Sequence, residues 1–150
     1  MLADAVLQRR KASGHVLQLA SAIGILAVGW RRVGDTGRAL ATIEAALEHS
    51  ERSDELWCHP ELIRIKGEVL QAARDTSAAE TLFASAIQEA QDRGALGWEL
   101  RAATDLGRLW IGQDKREAAR ELLGGVCAQF SEGFATSDLQ AALGLLRTLD

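Results

Sequence analysis

The sequence predicts an all-α protein made of antiparallel helical hairpins that recur every 40 residues. Three observations lead there. Pro60 is the only proline in 150 residues, so almost nothing interrupts a helix. No segment of the chain reads as a strand. A small residue, a larger apolar residue four later and another apolar residue three after that appear three times at one offset: Ala39, Ile43, Ala46; Ala79, Phe83, Ala86; Ala119, Leu123, Val126.

The helix before each of these segments carries the same offset. Ile23, Ala27 and Trp30 fall on Ile63, Gly67 and Leu70, and then on Ala103, Gly107 and Trp110. In "ELRAATDLGRLW" the small residues would forfeit several kcal/mol of burial, at about 0.8 kcal/mol per CH₂, unless another backbone came close. Ala27, Gly67 and Gly107 are therefore expected to face Ala39, Ala79 and Ala119 across each hairpin. The larger residue three positions later fills the space beside each contact.

Short polar turns join the paired helices: "RRVGDTGR", "QAARDTSA" and "IGQDKREA". Short loops force antiparallel neighbours. In "DTSAAE" the second helix is expected to be capped by Thr76 or Ser77, with Glu80 near N3. Applied backwards, the offset puts a second helix on "MLADAVLQRR"; applied forwards, it puts a first helix on "SDLQAALGLLRTL", with Leu139, Leu143 and Leu146 as its stripe. Eight helices are expected, over 2–12, 15–33, 37–52, 56–73, 77–93, 96–112, 115–130 and 137–148. They form one repeat domain: a half unit 1–14, hairpins 15–53, 54–94 and 95–132, and a closing helix within 133–150.

Composition excludes several classes. A chain of this length buries roughly 70% of its unfolded surface, enough for a real core. Its 47% hydrophobic and 25% charged content is that of a globular protein. No apolar run reaches the ~20 residues of a membrane span, because "HVLQLASAIGILAVGW" is broken by Gln18, Ser21, Gly24 and Gly29. In "MLADAVLQRRKASG" the basic cluster follows the apolar residues, the reverse of a signal peptide, which predicts a cytoplasmic protein. Cys58 and Cys127 are then expected to stay reduced. The net charge of -4 argues against a sequence-independent grip on nucleic acid.

The pattern of "KGEVL" followed by Ala79, Phe83 and Ala86, and of Leu106, Gly107 and Trp110 followed by Ala119, resembles the tetratricopeptide repeat. Two departures stand out: Ile23, Ile63 and Ala103 occupy the place of the family's first Trp, and the period exceeds the usual 34 residues by six. From about Ala22 onward the chain also resembles the C-terminal repeat region of large bacterial signalling proteins. In those proteins a class III nucleotide cyclase-like domain and a STAND-type ATPase precede the repeats. "WELRAAT", "RLW" and "FSEGFATSDLQAA" carry that likeness. It implies a tetratricopeptide-like α-solenoid with an interaction and regulatory role. It transfers no catalytic residue, because neither enzyme portion lies within this sequence.

The residues themselves offer no catalytic set. No G-x-x-x-x-G-K-[ST] cradle occurs, and "GALG" and "LLGG" read as helix ends. His15, His49 and His59 are scattered, and Cys58 with His59 lacks the second pair that a tetrahedral metal site needs. The carboxylates of "EHSERSDE" read as a solvated face, and Trp57 and Trp98 read as packing residues more than partner anchors. No catalytic residue, metal or cofactor is expected.

The remaining candidate is the face of the first helices that lines the groove in stacked hairpins. Its positions hold Ser21, Glu61 and Arg101; Gly24, Arg64 and Thr104; Val28, Glu68 and Arg108; Arg31, Gln71 and Ile111. The candidate partner-binding residues are Arg31, Glu61, Arg64, Glu68, Gln71, Arg101 and Arg108. Their arginines suit a protein or peptide with an acidic segment. The plainer reading of Arg64 and Glu68 is an i,i+4 pair that needs no ligand. A homodimer through Leu2, Val6 and Leu7 of the N-terminal helix is a second expected contact. The competing function is a small-molecule sensor, which predicts a well-formed apolar pocket.

Overall fold

A computed structural model describes residues 18–149. Among them are seven α-helices, one 3-10 turn and no strand: α1 (Leu19–Arg32), α2 (Thr36–Arg52), the 3-10 turn Leu56–Cys58, α3 (His59–Ala72), α4 (Thr76–Asp92), α5 (Leu96–Gly112), α6 (Arg116–Cys127) and α7 (Ser137–Arg147). The protein is all-α. Three bounds depart most from expectation: α1 begins at Leu19 and not 15, α3 begins at His59 and not 56, after the 3-10 turn, and α6 stops at Cys127 instead of continuing to 130. The expected helix 2–12, the half unit 1–14, His15 and the Leu2, Val6, Leu7 dimer face lie outside the described residues.

The helix ends repeat more finely than the core does. Left-handed residues fall 20 apart, at Gly34, Asp54, Arg74, Gly94 and Asp114, with φ of 84, 58, 68, 64 and 63°. After each, the next backbone N–H donates five residues back: Asp35 to Trp30, Glu55 to Ser50, Asp75 to Leu70, Ala95 to Ala90 and Lys115 to Trp110. These bonds satisfy carbonyls that the last turn of each helix would otherwise leave orphaned. At the first of these turns the chain re-enters a helix at once, because Asp35 is also the N-cap of α2 and its Oδ1 accepts from Arg38 N at 2.9 Å. The start of α4 differs from expectation. Thr76 is already helical, so Asp75 takes the place that Asp35 holds one repeat earlier, and Glu80 lies too far into the helix for a capping box.

The chain divides into two compact units with the boundary between Asp75 and Thr76. In the first, α2 packs on both α1 and α3, and its core gathers Leu19, Ile23, Ala27, Ile43, Ala46, Leu62 and Ile65. In the second, α4 packs on α5, α5 on α6, and α7 against both α5 and α6. Phe83, Leu100, Leu106, Leu123 and Leu139 fill that core. Burying each such side chain is worth about 1.5–3 kcal/mol.

The repeated small-and-large positions are the buried ones. Ala39, Ile43, Ala46 and their counterparts through Val126 are all buried, as are Ala27, Gly67 and Gly107. The contact at Gly107 differs in detail from the expected pairing with Ala119. A methyl added there would stand 3.0 Å from Leu123 Cδ1, so the glycine is a hole for the leucine one turn beyond Ala119. A tighter approach occurs at Gly24, where an added methyl would stand 2.6 Å from Leu62 Cδ2. Gly24 is therefore a close-packing residue of the first unit and not part of an open face.

Candidate partner-binding surface

In the first unit Arg31, Glu61, Arg64 and Glu68 join into one ionic chain. Spacings of three and four residues put Glu61, Arg64 and Glu68 on one face of α3. Arg64 grips Glu61 with both prongs of its fork, Nε to Oε2 at 2.7 Å and Nη2 to Oε1 at 2.8 Å. Its Nη1 lies 3.2 Å from Glu68 Oε1, and Arg31 Nη2 of α1 lies 3.4 Å from the other oxygen of Glu68. Arg64 is only 5% exposed and Glu61 9%. Among the described residues two carboxylates thus face two guanidiniums, and this ionic chain is largely paired within itself. Gln71 is half-buried at the end of the same helix.

In the second unit Trp98, Arg101, Asp105 and Arg108 follow one another along a single face of α5. The Arg101 guanidinium lies over the Trp98 ring, 5.5 Å from its centroid, and its Nε is 3.9 Å from Asp138 Oδ2 at the start of α7. Arg108 Nη1 is 3.1 Å from Asp105 Oδ1, and its side chain is 53% exposed. Beside them an open depression of about 260 Å³ is lined by Ala95, Leu96, Gly97, Trp98, Arg101 and Asp138. Ligand pockets run from about 300 to 1,000 Å³ and enclose most of their ligand, so this volume suits one side chain of a partner better than a whole small molecule. Trp98 is half-buried and supports Arg101 as well as bordering the depression. Trp57, in contrast, is 50% exposed in the 3-10 turn.

The other reactive side chains are buried or separately paired. Burial, aided by the nearby charge of Glu55, pushes the Cys58 thiol up to about 11, and burial also raises Cys127. Both are free thiols with little thiolate at neutral pH, hence poor nucleophiles. His49 Nε2 is 3.4 Å from Glu55 Oε1, and His59 Nε2 is 3.6 Å from Glu51 Oε1. Among the described residues no three His, Cys, Asp or Glu are placed to hold a metal ion, and no helix is long and apolar enough to cross a membrane.

Three carboxylates have roles that the sequence reading missed. Glu55, expected on a solvated face, accepts at Oε2 from Ala20 N at 3.1 Å, capping the start of α1 from 35 residues away. Glu99, 4% exposed, accepts from Gln91 Nε2 at 2.8 Å and Gln129 Nε2 at 3.5 Å. Glu80 accepts from Trp110 Nε1 at 2.7 Å, Lys115 Nζ at 3.1 Å and Gln113 Nε2 at 3.3 Å. The indole hydrogen bond first, and then Lys115, hold its carboxyl below the usual carboxylate range against a smaller opposing effect of burial. Trp30, the counterpart of Trp110, instead carries Arg38 over its ring at 4.9 Å. No protein-family model and no curated protein matches the chain.

Proposed function

We propose that the chain is a non-enzymatic repeat module that binds a protein or peptide along the outward face of its first helices. One observation carries this reading. The buried positions keep the same small-and-large pattern three times at the 40-residue offset, while the neighbouring positions on the first helices change: Ser21, Glu61, Arg101; Val28, Glu68, Arg108; Arg31, Gln71, Ile111, of which Arg108 is exposed and Glu61 buried. A repeated core with a varied face is the economy of a recognition scaffold, in which function lies in the surface and not in the fold.

In this reading Arg101 and Arg108 of α5 meet carboxylates of an acidic segment, and the depression beside Trp98 takes an apolar side chain next to them. The Glu61, Arg64, Glu68 and Arg31 chain holds the face of α1 and α3 in shape. We read the hairpins as a tetratricopeptide-like α-solenoid in the cytoplasm, with no catalytic residue and no cofactor. The likeness of "WELRAAT" and "FSEGFATSDLQAA" to the repeats of cyclase-like and ATPase regulators supports derivation from such a signalling protein.

The test is selection of a displayed random peptide library on the full chain at low salt. Enriched peptides should combine Asp or Glu with a neighbouring apolar residue. Arg101→Glu with Arg108→Glu should abolish their binding and leave the helical circular dichroism unchanged. Peptides of no common charge, or binding indifferent to both substitutions, would overturn the assignment of this face. ATP hydrolysis above background that a point substitution in the chain abolishes would overturn the non-enzymatic reading.

A further inference from the structure

We draw no further inference here: the strongest candidate, the open depression at the N-terminal end of α5 between Trp98, Arg101 and Asp138, belongs to the surface already described, and Asp138 and Asp105 already face the two arginines that would have to single out a ligand.

Discussion

The indole Nε1 of Trp110 donates to Glu80 Oε1 across 2.7 Å and ties the end of α5 to the start of α4. A largely buried indole needs an acceptor, and Glu80 supplies one that Lys115 also holds in place. The folded state therefore depresses the Glu80 pKa. A depressed carboxyl contributes stability that is fully present above its unfolded value of about 4.3 and is lost as pH falls through the lower folded value. Glu80→Gln keeps an acceptor for the indole and removes the titration. Urea midpoints measured from about pH 5 down to about pH 2.5 should fall less steeply for Glu80→Gln than for the parent chain. Identical acid profiles would show that this carboxyl is not coupled to folding.

Arg64 lies between Glu61 and Glu68 at 5% exposure, so its removal takes a guanidinium from two carboxylates in a poorly solvated place. Breaking such a pair from one side costs about 3–5 kcal/mol, whereas replacing both partners by apolar residues is often close to neutral. Arg64→Ala should therefore be strongly destabilising, and Glu61→Leu with Arg64→Met should recover most of the loss. Arg108→Ala, on an exposed side chain, should change stability by less than about 0.5 kcal/mol. Urea denaturation of the four chains checks the order. An Arg64→Ala chain as stable as Arg108→Ala would show that the α3 network is too well solvated to matter.

Arg74 has a φ of 68° in a place where Gly34 and Gly94 adopt 84° and 64°. A left-handed conformation costs an ordinary L-residue roughly 1–2 kcal/mol, and glycine almost nothing, though glycine gives back part of the gain through its unfolded-state entropy. Arg74→Gly should stabilise the chain by about 0.5–1 kcal/mol, and Gly94→Ala should destabilise it by about 1 kcal/mol. Asp54→Gly and Asp114→Gly should gain less, because Asp tolerates this region better than Arg does. Thermal melts that rank Arg74→Gly below the parent would mean that the arginine side chain contributes more than its backbone costs.

The helices and their buried positions were legible because Ile43, Phe83 and Leu123 recur at a fixed offset and each is buried, and a repeated core writes itself into the sequence. The 20-residue recurrence of left-handed turns was not. Its positions hold Gly, Asp, Arg, Gly and Asp, so residue type does not mark them. Gly24 misled for a related reason. Its offset partners Arg64 and Thr104 suggested an outward row, whereas its close approach to Leu62 depends on how α1 meets α3, which periodicity does not encode. The Arg64 and Glu68 spacing did announce an internal pair. The Glu61 and Arg64 spacing of three offered a second such pair, and what spacing did not supply is that both side chains would be buried. The Trp98 and Arg101 spacing of three was available as a sign of stacking, and the carboxylate of Asp138 came from a helix too distant in sequence to be foreseen.

Gly107 gives the most direct check on how α5 and α6 meet. A methyl added to it would stand 3.0, 3.2 and 3.4 Å from Cδ1, Cγ and Cδ2 of Leu123, closer than ordinary van der Waals contact. Leu123 is fully buried, so it can retreat only by a few tenths of an ångström before meeting its own neighbours. Gly107→Ala gains up to about 1 kcal/mol of helix propensity and loses a comparable amount to this push, which leaves it within about 1 kcal/mol of the parent. Ala27 already fills the equivalent place in α1. Gly107→Leu is different in kind, because its four added carbons cannot share the space with Leu123, and overpacking costs about 1–3 kcal/mol or more. Trimming the neighbour in the double substitution Gly107→Leu with Leu123→Ala should restore part of that loss, giving a favourable coupling in a double-mutant cycle. Urea melts of the parent, Gly107→Ala, Gly107→Leu, Leu123→Ala and the double substitution decide the matter: equal tolerance of Gly107→Ala and Gly107→Leu, with no coupling to Leu123, would mean that α6 does not present Leu123 to Gly107.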